Sequence, residues 1–68
     1  MDSNWIVVFT SGQLHLAEMA KELLKENGIE SAVIDKRDSL YITIGEVELL
    51  VRNHDVMNAK FILDKNKL

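Results

Sequence analysis

The sequence predicts an α+β fold of the ferredoxin-like, split β-α-β kind, with two helices packed on one face of a mostly antiparallel sheet. Three observations point there. An apolar run, Trp5-Ile6-Val7-Val8-Phe9, opens the chain. A stripe of apolar residues at helical spacing follows it. Strand-like runs and a second helical stripe complete the order β-α-β-β-α. A strand–helix–strand unit prefers a right-handed crossover. A third strand slotted between the first two, antiparallel to both, gives the split sheet with both helices on one side. The usual last strand of that plan is missing here.

Each element has its own justification. Trp5–Phe9 is short, unbroken and rich in aromatic and β-branched types, which reads as a strand buried on both faces. Leu16, Ala17, Ala20, Leu23 and Leu24 make one stripe of a helix ending near Asn27, with Glu18, Lys21, Glu22, Lys25 and Glu26 on the other side. Gly28 suits the left-handed position after the helix, and Ile29 the apolar contact that follows it. Glu30 to Asp35 reads as a second strand, with Ala32 and Ile34 on one face and Ser31, Val33 and Asp35 on the other. The charged connection Asp35–Ser39 follows. Residues 40–44 are either an extra short strand or part of that connection. As a strand, they fold back at Gly45-Glu46 onto Val47–Val51, setting Ile44 opposite Val47, Ile42 opposite Leu49 and Leu40 opposite Val51. Asn53 and Asp55 are both candidate N-caps for a last helix whose inner stripe is Val56, Ala59, Ile62 and Leu63.

Composition bounds what such a chain does. It has 68 residues, so it is one domain, 1–68, and 47% hydrophobic content is enough for a globular core. A core this small leaves little stability to spare, and small scaffolds usually add disulfides, a metal or a partner chain. With no cysteine, disulfides and thiolate metal sites are excluded, which leaves oligomerisation or tight packing. A net charge of −3 argues against a nucleic-acid binder. No apolar stretch approaches the length of a membrane span, and the start lacks the pattern of a signal peptide. The expectation is a soluble cytoplasmic protein.

The stretches "WIVVFTS", "AEMAKELLKENGIESAVIDKRDS", "GEVELLV" and "DVMNAKFIL" together resemble the small bacterial domains described as "putative prokaryotic signal-transducing protein". By fold, these domains group with the PII-like (GlnB-like) nitrogen regulators. The resemblance covers nearly the whole chain, and the run from Ala17 to Ile29 is its most specific part. It implies a ferredoxin-like fold and a regulatory role. The chain departs from the family pattern in two places. It has no proline, and Leu14 and Arg52 stand where members often carry one near each helix start. Met57 and Phe61 stand where members tend to carry charge.

Four candidate sites follow. The turn Thr10-Ser11-Gly12-Gln13 leads from a strand into a helix N-terminus, a place that can hold an anion. It has one glycine and none of the phosphate-loop signatures. Its plainer reading is structural: Thr10 and Gln13 as a capping box, or Gly12 or Gln13 capping a helix that starts at Leu14. The second candidate is the connection after the second strand. In PII-like proteins the loop at this place engages partners, so the resemblance implies such a role for Lys36, Arg37, Asp38, Ser39 and Tyr41, in a loop much shorter than theirs. His15 and His54 are the only imidazoles, and their spacing makes no zinc motif. The last candidate is a surface. Met57 and Phe61 lie four apart beside the inner stripe of the second helix, and the first strand borders the missing one. Within the chain, the tail around Leu68 or the extra strand covers that edge and Phe61 packs on the first helix; otherwise a partner covers them.

No nucleophile, base and orienting group can be assembled from the sequence, so the expectation is a non-enzyme without a cofactor. The leading expectation is an interaction or regulatory domain, a homodimer or the binder of a protein partner. The alternative is a PII-like sensor of a small anion or nucleotide.

Overall fold

The computed structural model describes residues 4–36 and 46–68. Strand β1 (Trp5–Ser11) leads to helix α1 (Leu14–Glu26), strand β2 (Ser31–Asp35) and strand β3 (Val47–Arg52). A 3-10 turn (Asn53–Asp55) then enters helix α2 (Val56–Lys65). The sheet order is β1-β3-β2, antiparallel throughout. This is the expected α+β, ferredoxin-like arrangement, with the third strand between the first two. The 40–44 strand and the register proposed for it lie outside the described residues, as do Gly45 of its turn and Arg37, Asp38, Ser39 and Tyr41.

Register divides the sheet into two faces, because cross-strand partners share a side. The helix side carries the rows Ile6–Val51–Ser31, Phe9–Leu49–Val33 and Ser11–Val47–Asp35. The opposite side carries Val7–Leu50–Ala32 and Thr10–Glu48–Ile34, with the pair Trp5–Arg52 at one end. Val47, Leu49 and Val51 of the central strand are completely buried under the helices. Leu49 and Val51 pack in one cluster with Ala20 and Leu24 of α1, Ile29, and Ala59 and Leu63 of α2, and Ala17 of α1 is buried as well. The expected stripes therefore face the core, with Leu23, Val56 and Ile62 packed at its margin. The three alanines let the helix backbones come close to the sheet and to one another.

The expected burial of the first strand is overturned. Strand β1 exists and runs two residues past Phe9, yet it is not buried on both faces. None of its residues is fully buried, and Ile6 and Val7 are each 38% exposed. The reason lies in position and register. Among the described residues β1 pairs along one edge only, with β3. A bulge falls between Val7 and Phe9, so that Val8 is an extra residue without a partner on β3. A bulge interrupts alternation, and Val8 and Phe9 both pack against the core. The unbroken apolar run thus reflects a bulged edge strand rather than two-sided burial.

Both helices end in the same way. Asn27 caps α1, the Gly28 N–H donates to the Lys25 carbonyl (3.0 Å), and the Ile29 N–H donates to the Leu24 carbonyl (2.9 Å). Asn66 caps α2, the Lys67 N–H donates to the Asp64 carbonyl (3.0 Å), and the Leu68 N–H donates to the Leu63 carbonyl (3.0 Å). These are two Schellman motifs. The φ angles at the residue after each cap are 80° for Gly28 and 59° for Lys67. Each Asn side chain adds a bond to a carbonyl four residues earlier, Leu23 and Ile62 respectively.

The helix starts are simpler than expected. Gln13 stands at the N-cap of α1 with an extended backbone and no side-chain cap bond, so the Thr10–Gln13 capping box does not form. A box needs its Gln at the third helical position, and here Gln13 precedes the helix. Of the two expected caps for the last helix, Asp55 does stand at the N-cap of α2, without a side-chain cap bond, while Asn53 opens the 3-10 turn before it.

Candidate functional site

Three regions compete for attention. The first is the Thr10–Gln13 turn. Thr10 and Ser11 end β1, and the Gln13 N–H donates to Ser11 Oγ at 3.0 Å. The turn thus satisfies one of its own amides. Gly12 has ordinary dihedral sign and open space around it, so no steric demand singles it out. The first turn of α1 carries no acidic residue, leaving its N-terminal end without a compensating charge.

The second region is the end of β2. The Lys36 N–H donates to the Glu46 carbonyl at 2.9 Å, which closes the β2–β3 ladder. The Lys36 ammonium lies 3.2 Å from a Glu48 carboxylate oxygen, half exposed. Lys36 is thereby tied to the open face of the sheet, at the base of the charged connection.

The third region is α2. Met57 is 85% and Phe61 67% exposed. Phe61 lies two residues from Ala59 and from Leu63, about 200° around the helix from each. Its ring therefore points away from the sheet rather than onto α1, and Met57 lies one turn before it on the same side. The tail does not cover the β1 edge either. Leu68 turns back beside α1, where it borders an open groove of about 800 Å³ with Met19, Leu23 and Asn66.

The histidines are apart from one another. His15 borders that groove on the outside of α1, while His54 is largely exposed with Nε2 3.4 Å from Asp55 Oδ2. Among the described residues, no three His, Asp or Glu side chains gather as metal ligands would.

Sequence reasoning missed two features. The face of the sheet away from the helices, uncovered among the described residues, carries Val7, Leu50, Ala32 and Ile34 in adjacent rows, with Ile34 44% exposed. At its end the Arg52 guanidinium stacks 4.6 Å from the centre of the Trp5 ring and reaches 3.7 Å from a Glu30 carboxylate oxygen. The alternation of β3 already puts Leu50 and Arg52 on one face. What it does not reveal is the β1 register that sets Trp5 beside Arg52.

The family model described as "Putative prokaryotic signal transducing protein" matches residues 5–67. The chain belongs to that family. No curated protein and no solved structure matches it. The matched span runs from the first residue of β1 to the turn after α2, so it takes in the whole helix-backed sheet. No helix among the described residues is long and apolar enough to cross a membrane.

Proposed function

We propose that this chain is a non-enzymatic interaction and regulatory domain, acting in signal transduction by binding protein, a second copy of itself included. The observation that supports this reading is the outer face of α2. An isolated exposed apolar residue is ordinary. Met57 and Phe61 are instead one helical turn apart on the side facing away from the core. That is the anchor spacing of a helix received by an apolar groove. Each side chain, if buried by a partner, contributes about 1.5–3 kcal/mol, and neither contributes comparably to this fold. Lys36, with Arg37, Asp38, Ser39 and Tyr41, is the companion recognition segment by analogy with PII-like proteins.

A photo-reactive side chain introduced at position 61 in living cells tests this. Discrete cross-linked adducts, lost on Met57→Lys, are the expected result. No adduct would overturn the reading. The Met57→Lys/Phe61→Glu variant is expected to keep its folding stability within about 0.5 kcal/mol, since both positions are exposed; urea unfolding measures it.

The alternative is a sensor of anionic ligands, favoured by the uncapped and uncompensated start of α1 next to Thr10–Gln13. It predicts a salt-sensitive rise in melting temperature with phosphate compounds, abolished by Lys36→Ala/Arg37→Ala.

A further inference from the structure

We propose that the outer edge of β1 pairs antiparallel with the same edge of a second copy of this chain. Two three-stranded sheets then become one of six strands, ordered β2-β3-β1-β1-β3-β2, with all four helices on one side. The proposal rests on the interaction-domain reading and names one partner and its surface.

Edge chemistry is the first support. Trp5–Ser11 holds no charged residue and no proline. The opposite edge, β2, is preceded by Glu30, ends in Asp35 and runs into Lys36. Charge and proline on an edge are what blocks strand pairing. Of the two edges described, β2 is guarded by charge, while β1 carries only the bulge at Val8.

Burial is the second. Ile6 shares the helix side with Val51 and Val7 the opposite side with Leu50, and both are 38% exposed. A helix or loop laid on either face would cover one of them. A strand added at the edge sets side chains beside both, which is the two-sided cover that the run Trp5–Phe9 lacks among the described residues.

Charge is the third. The chain carries −3, so two copies repel unless they meet through a neutral surface. Antiparallel self-pairing sets neutral side chains opposite neutral side chains about a two-fold axis. That axis stands perpendicular to the sheet, which keeps the helices together on one side. Helix α2 packs on β1 and β3, so the two copies of α2 flank the axis. Their Met57–Phe61 strips are then shown side by side to a partner. The bulge at Val8 shortens the regular ladder. The interface is therefore small and dissociates on dilution.

The test is sedimentation equilibrium on the wild type, Val7→Lys and Phe61→Glu from low micromolar to millimolar concentration. The wild type is expected to dimerise. Val7→Lys should raise the dissociation constant about tenfold or more, and by clearly more than Phe61→Glu does. A strict monomer at millimolar concentration overturns the self-pairing, while the cross-linking at position 61 still decides the interaction reading. A dimer abolished by Phe61→Glu and spared by Val7→Lys overturns it as well, moving the contact to α2. Circular dichroism checks that Val7→Lys folds. If it does not, a nitroxide on Thr10→Cys decides the matter, since the chain has no other cysteine. Paired β1 strands of seven residues hold the two labels within about 30 Å. Absence of dipolar coupling in the wild-type dimer would overturn the proposal.

Discussion

At the scale of single residues, the two helix ends make a controlled comparison within one molecule. The hydrogen bonds after Asn27 and after Asn66 match, yet the left-handed residue is glycine in one and lysine in the other. A Cβ in that conformation is strained by about 1 kcal/mol. Lys67→Gly is therefore expected to raise stability by about 0.5–1 kcal/mol, and Gly28→Ala to lower it by about 1 kcal/mol although a Cβ at Gly28 would meet no atom. Urea midpoints measure both, and an unchanged midpoint for Lys67→Gly would show that the α2 end contributes little. Ser31 offers the converse case. Its hydroxyl is buried on the helix side of β2 without a hydrogen-bond partner. Removing an unsatisfied polar group leaves none behind, so Ser31→Ala should be neutral or stabilising by up to about 1 kcal/mol. A loss of more than that would mean the hydroxyl is bonded in solution.

At the scale of elements, β3 is the one on which the others depend. It pairs with both remaining strands and presents Val47, Leu49 and Val51 to both helices, all fully buried. Leu49→Ala removes a completely buried side chain at the centre of this layer, which costs about 2–5 kcal/mol. For a domain with so small a core that is a large part of the total. The expected outcome is a chain largely unfolded at room temperature by circular dichroism. Strand β1 stands at the other extreme. It is just as apolar, yet it is half exposed because it lies at the edge and carries the bulge. Apolar composition marked both segments as strands, and only pairing separated the core strand from the edge.

At the scale of the whole molecule, two helices on one side of three strands leave three surfaces unshared among the described residues: the β1 edge, the sheet face away from the helices and the outside of α2. The family is described as "Putative prokaryotic signal transducing protein", and the interaction reading proposed above calls for a surface that others can read. If β1 pairs with itself, folding and association are linked, and the melting temperature should rise with protein concentration. The same scan with Val7→Lys should lose that dependence.

The sequence by itself determined the element order, the apolar stripes of both helices, the glycine cap after α1 and the family. These rest on local periodicity and on residue-specific backbone preference, which neighbours in sequence supply. Tertiary structure alone decided that Val8 is a bulge, that Trp5 stacks on Arg52, that Phe61 faces solvent rather than α1, and that the tail lies by α1 instead of along β1. Each of those depends on which strands pair and in what register, a non-local choice that the apolar pattern of one segment leaves open. The surfaces left for a partner follow from that choice, because burial in one chain is settled only when every element has taken its place.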